Sequence, residues 1–122
     1  MLQKRWNHYI AVDFTPPDGG QYLDEIDPRT DRPSFEIARG NLADVHRAAD
    51  SADAALKVWR AVKALDRGRI LTRIALAIRA SAEELARIEQ IETGKPLPQA
   101  RGDIEIAAQY FEVVVAPDYA GG

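Results

Sequence analysis

No cysteine occurs anywhere in the chain. That absence excludes a disulfide scaffold, thiolate-held metals and any thiol nucleophile carried by these residues. Histidine is scarce too: His8 and His46 are far apart and lie near no carboxylate pair at ligand spacing. His46 stands four residues before Asp50, which on a helix reads as a surface pair and not as catalytic machinery. There is no Gly-x-Gly-x-x-Gly and no glycine-rich Lys-Ser/Thr loop, so neither phosphate cradle is encoded. Glycines 19, 20 and 40 are expected to flank short antiparallel strands, and glycines 94, 102, 121 and 122 to end or follow helices. No strand, glycine turn and helix in succession is therefore expected, and with it no dinucleotide site. Ser34, Ser51 and Ser81 lack a Gly-x-Ser-x-Gly setting.

Long apolar runs are missing as well. None approaches the ~18 residues of a membrane span, and Met1 to Trp6 holds no apolar stretch of signal-peptide type. No membrane partner is expected, and the cytoplasm is the default compartment. A clustered basic face is also absent. Eight basic and ten acidic residues fall in 1–60, eight and nine in the remainder, for a net charge of −3 over 122 residues. No nucleic-acid partner is expected from that mixture. What remains, 46% hydrophobic and 29% charged, is the composition of one ordinary folded domain.

The chain divides by periodicity. Residues 1–40 carry short β-prone runs, Tyr9–Phe14, Tyr22–Ile26 and Ser34–Ala38, broken by Pro16-Pro17-Asp18-Gly19-Gly20 and by the Asp27-Pro28 turn. Pro28 presets φ for that turn, and the Asp27 side chain can bond the backbone two residues on. Phe35 and Ile37 alternate with Ser34 and Glu36, giving one buried and one wet face. Two or three antiparallel strands follow from this.

Residues 41–112 read as helical. Leu42, Val45, Ala49, Ala52, Leu56 and Trp59 form one stripe, capped by Asn41, over about 42–63. Ile70, Leu71, Ile74, Ala75 and Ile78 form the next. Ser81-Ala82-Glu83-Glu84 has the pattern of a capping box and either ends that helix or kinks it. Leu85, Ile88 and Ile91 continue to Gly94, whose freedom at positive φ ends the helix, and Pro96 and Pro98 prevent its extension. A last helix over 99–112 presents Ile104, Ala107, Ala108 and Phe111. Val113 to Ala116 is β-prone and opens a divergent tail, 113–122. The fold class is α+β and mostly helical: a short antiparallel β element followed by three or four helices in a single, partial domain. Arg67, Arg69 and Arg73 read as a solvated face.

One ordered set of short motifs is distinctive. Glu92-Thr93-Gly94-Lys95-Pro96 is followed by Ala100-Arg101-Gly102-Asp103-Ile104, and preceded by Ile26-Asp27-Pro28, Trp59, Arg67-Gly68-Arg69-Ile70-Leu71 and Ala82-Glu83-Glu84-Leu85-Ala86. Over about residues 22–111 this order resembles the N-terminal segment of the NAD(P)-dependent aldehyde dehydrogenase superfamily. Two departures stand out. Asp31 occupies the glycine position of an Asn-Pro-x-Thr-Gly turn, and Val113-Val114-Val115-Ala116 replaces two aromatics and Ala-Gly.

The resemblance implies the N-terminal part of a cofactor-binding domain without its Rossmann sheet. The complete enzyme would oxidise an aldehyde to an acid with NAD or NADP, through a cysteine outside these residues. No catalytic or cofactor-binding residue carries over, and no cofactor is expected for this chain alone. Gly94 and Pro96 carry over as a structural turn. The resemblance also implies a monovalent cation, potassium or sodium, on Asp103 with the carbonyls of Glu25 and Ile26; a surface aspartate paired with Arg101 or a more distant arginine is the other reading of Asp103. A stand-alone interaction module and a non-functional fragment remain alternatives. If a sheet normally covers the helices, the Ile70, Ile74 and Ile78 stripe and the Ile104 and Phe111 stripe cannot both be buried. Self-association, or packing on the remainder of an aldehyde dehydrogenase, is then expected.

Overall fold

A computed structural model describes residues 4–113. The elements run β1 (Arg5–Trp6), β2 (His8–Ile10), β3 (Asp13–Thr15), β4 (Tyr22–Asp27), β5 (Arg32–Ala38), α1 (Leu42–Ala61), α2 (Ala64–Ala80), α3 (Ala82–Thr93) and α4 (Leu97–Val113). They fall into two compact units, Met1–Ala61 and Val62–Gly122, so α1 groups with the strands.

In the first unit β4 and β5 pair antiparallel, from Tyr22 opposite Ala38 to Asp27 opposite Arg32. The Asp27 carboxylate accepts the Arg29 N–H at 2.9 Å and grips the Arg29 guanidinium, so the anticipated side-chain turn forms. Asp31 sits at φ 54°, the left-handed position where the family turn has glycine, and aspartate tolerates it. Glu25 faces Phe35 and Ile26 faces Pro33, so Ser34 bulges out. Its hydroxyl donates to the Glu25 carbonyl at 3.0 Å. Pro33 lacks an N–H, and a bulge is where an inner strand accommodates one. Phe35 is buried, whereas Ile37 on the same face stays 37% exposed.

Two expectations for the β region need correction. β1 pairs with β5 in parallel, Arg5 opposite Glu36 and Trp6 opposite Ile37, so this sheet is mixed and ordered β1-β5-β4. Two residues are too few to show alternation in sequence. The run Tyr9–Phe14 is not one strand but a tight hairpin, β2 against β3, with Tyr9 opposite Phe14 and their rings 4.9 Å apart. Ala11 and Val12 form its turn at φ 54° and 68°, a conformation the sequence disguises because neither residue favours it.

The helical expectations hold in outline. Asn41 caps α1 as predicted, its Oδ1 accepting the Asp44 N–H at 3.0 Å. The apolar stripe of α1 is continuous, yet Leu42 and Val45 are 70% and 60% exposed, and Leu56 and Trp59 39% each. In the second unit, α2 and α3 both pack on α4. The residues fully buried there are small: Ala75 of α2, Ala86 of α3, Ala100 and Ala108 of α4. No large side chain among the described residues is fully buried.

Ser81 does not act through its side chain. Its N–H closes α2 on the Ala77 and Ile78 carbonyls at 3.2 Å, its carbonyl accepts the Leu85 N–H that opens α3, and its hydroxyl caps nothing. A cap needs extended backbone, and Ser81 lies at φ −105°, ψ 13°. α2 ends and α3 begins at this residue, as two separate helices. α4 begins at Leu97, two residues before the expected start, because the Pro96 carbonyl already accepts from Gln99 and Ala100. Val113 closes α4 as helix, and the rest of the expected tail, 114–122, lies outside the described residues.

Candidate functional site

The chemistry-bearing motif is the turn between α3 and α4. Gly94 stands at φ 72° and its N–H bonds the Gln90 carbonyl at 2.9 Å, a left-handed helix stop. The Thr93 hydroxyl donates to the Glu89 carbonyl at 2.7 Å and accepts the Lys95 N–H at 3.4 Å. Pro96 then supplies the carbonyl that starts α4. Gly94 thus ends α3, and the Pro96 carbonyl opens α4.

This turn aims Lys95 back along α3 and forward onto α4 at once. Its Nζ lies 2.6 Å from Glu89 Oε1 and 2.5 Å from Asp103 Oδ2. Asp103 and Glu89 together push the Lys95 pKa up, while Lys95 holds the Asp103 carboxyl below its ordinary range. Asp103 is thus paired, but with neither Arg101 nor a distant arginine. Arg101 instead forks onto Glu83 of α3 at 2.9 and 3.0 Å. Sequence spacing missed Lys95 because it stands eight residues before Asp103, outside the three- and four-residue intervals at which helix side chains meet.

A second clamp ties α2 to α4. The Arg79 guanidinium donates to Glu105 at 2.8 and 3.0 Å and to Glu112 at 2.6 and 2.9 Å. Both carboxyls are held below their usual range by that arginine. Of the arginines on α2, Arg69 pairs with Asp66 and Arg67 donates to the Val62 carbonyl.

The other expected cation ligands, Glu25 and Ile26, lie on β4 of the first unit. The Glu25 carbonyl already accepts the Ser34 hydroxyl. Among the described residues no group of three or more histidines, aspartates and glutamates is placed to hold a metal.

A strand, glycine turn and helix in succession does occur, contrary to expectation: β5, Gly40 and α1. Its helix N-terminus, however, is filled by the chain's own anion. Asp44 is 3% exposed, and its carboxylate accepts the backbone N–H groups of Asp18 and Asn41 at 3.1 to 3.2 Å and the Arg47 guanidinium at 2.8 Å. His8 Nε2 lies 3.6 Å away. A dinucleotide phosphate brought to this turn would meet a carboxylate where it needs free N–H groups. This helix N-terminus does not fit a dinucleotide phosphate. His46 is exposed, and no ion pair joins it to Asp50 among the described residues, so the expected surface pair does not form.

The geometry agrees with what the chain is similar to. The profile of the aldehyde dehydrogenase family matches residues 14–117. A Streptomyces coelicolor protein named "Probable aldehyde dehydrogenase" is 38% identical over 110 residues, 89% of this chain and 22% of that protein. The crystal structure of HpcC from Thermus thermophilus superposes with a TM-score of 0.90 at 34% identity, over 93% of this chain and 22% of that one. An NAD-dependent aldehyde dehydrogenase from Sinorhizobium meliloti gives a TM-score of 0.88 at 26% identity, over 94% of this chain and 24% of its own. The chain spans under a quarter of the length of these relatives, and its fold is that of their N-terminal part. With the ordered motifs, the left-handed turn, the family profile, the relative and the solved structures in agreement, the chain belongs to the aldehyde dehydrogenase family.

Proposed function

We propose that this segment is an architectural part of a cytoplasmic, NAD(P)-dependent aldehyde dehydrogenase. The whole protein would oxidise an aldehyde to its acid, with a cysteine nucleophile these residues do not contain. The segment's own work is to present helices of fixed geometry to the remainder of that protein. Several of its charged side chains bind one another inside the segment, in the Lys95, Arg79, Arg101 and Asp44 clusters.

The observation that carries this reading is the apolar stripe of α1. Leu42, Val45, Leu56 and Trp59 are spaced for burial yet exposed, which fits a helix that further protein covers. In isolation the same faces would drive self-association. A chimera tests the reading: residues 14–117 replace the matching segment of the NAD-dependent aldehyde dehydrogenase from Sinorhizobium meliloti. An architectural segment leaves the chimera folded, with dinucleotide-dependent turnover. A chimera that folds by circular dichroism but has lost turnover would show that the segment carries more than scaffold.

A further inference from the structure

The family resemblance implies a monovalent cation on Asp103, and the structure shows that carboxylate already holding a positive charge. We infer that the Lys95 ammonium takes the place of a bound cation in this chain, as an internal counter-ion shared by Glu89 and Asp103. The disagreement rests on contacts within the second unit alone. Asp103 Oδ2 and Glu89 Oε1 both lie within 2.6 Å of Lys95 Nζ. An ion coordinated by the same Asp103 oxygen would sit about 4 Å from that ammonium, where two positive charges repel strongly in a part-buried setting.

The lysine is positioned and not merely nearby. Gly94 at φ 72° and the Pro96 start of α4 fix the backbone on both sides of it, and the Thr93 hydroxyl receives its N–H. Its side chain is 29% exposed, that of Glu89 23% and that of Asp103 45%, so the Glu89 contact is the less screened of the two. The raised pKa of Lys95 keeps the ammonium charged across the physiological range. A tethered cation also needs no ion to be captured from solution. It is present at any salt composition.

Thermal unfolding of the full chain tests this, with potassium, sodium and tetramethylammonium chlorides compared at equal ionic strength. The wild-type midpoint is expected to be the same in all three, because Asp103 makes no use of a small free cation. Lys95→Met is expected to unfold several degrees lower, on the order of 4 °C. Its midpoint should then become higher in potassium or sodium than in tetramethylammonium, since Glu89 and Asp103 are left unneutralised. Asp103→Asn in the Lys95→Met background should remove that preference. A wild-type midpoint raised specifically by potassium or sodium, and no longer raised in Asp103→Asn, would overturn the inference. So would a Lys95→Met chain as stable as wild type in every salt. The wild-type comparison stands even if Lys95→Met fails to fold.

Discussion

Asn41 and Asp44 cap each other at the start of α1. The Asn41 side chain accepts the Asp44 N–H at 3.0 Å, and the Asp44 carboxylate accepts the Asn41 N–H at 3.1 Å. Three residues apart, the two satisfy reciprocal backbone donors. Asp44 does more, because it also receives the Asp18 N–H from the Pro16–Gly20 loop. Asn41→Ala is expected to cost about 1 kcal/mol, the usual loss for a helix cap. Asp44→Ala should cost more, because it strands donors on two separate segments in a buried place. Urea unfolding of both variants gives the order; an Asp44→Ala loss smaller than that of Asn41→Ala would contradict it.

Acid should weaken the fold. Burial pushes the Asp44 carboxyl up, but the Asn41 and Asp18 N–H groups with His8 and Arg47 bring it below the ordinary Asp value. Arg29, Arg101 and Arg79 similarly lower Asp27, Glu83, Glu105 and Glu112. Each group binds a proton more readily unfolded than folded, so its stabilisation is present above the unfolded values of 3.8 for Asp and 4.5 for Glu. It is lost as pH falls through the lower folded values. Unfolding free energy measured from pH 6 down to pH 2 should decline below about pH 5. A flat profile would contradict the ion-pair networks.

The β2–β3 turn stores strain. Val12 at φ 68° is β-branched and 86% exposed, so it bears a steric cost without any packing return. Replacing Ala11-Val12 with Asn-Gly, the pair such turns favour, is expected to stabilise the chain by about 1 kcal/mol. Denaturant midpoints decide it, and a loss of stability would mean that Val12 is held by something more than its turn.

Two glycines should respond oppositely to alanine. Gly94 needs its positive φ, so Gly94→Ala is expected to destabilise by about 1 kcal/mol and to loosen the Lys95 contacts. Gly102 lies inside α4, and a Cβ there meets nothing within 4 Å. Gly102→Ala is therefore expected to stabilise by about 0.5–1 kcal/mol. Thermal midpoints moving in the same direction for both would contradict the assignment.

The legible parts of the sequence are those governed by local chemistry. The Asn41 cap, the Asp27 turn and the Gly94 stop depend on residues a few positions apart, and each appears as read. Ser81 misled because a capping pattern says nothing of whether the backbone has left the helix. The β1–β5 pairing was hidden because it joins segments 31 residues apart, and the Lys95–Asp103 contact because a separation of eight is no helical pairing interval. The Ala11-Val12 turn was hidden for another reason: its residues oppose the conformation they adopt. Burial of α1 could not be read either, because an apolar stripe announces a partner without naming it.

A segment that supplies architecture and no cofactor chemistry should not bind a dinucleotide by itself. Calorimetric titration of the purified 122-residue chain with NAD and with NADP tests it most directly. The Asp44 carboxylate fills the one described helix N-terminus that follows a strand and a glycine, so no saturable binding is predicted for either dinucleotide. Saturable binding tighter than about 1 mM, equivalent to roughly 4 kcal/mol, would contradict the account.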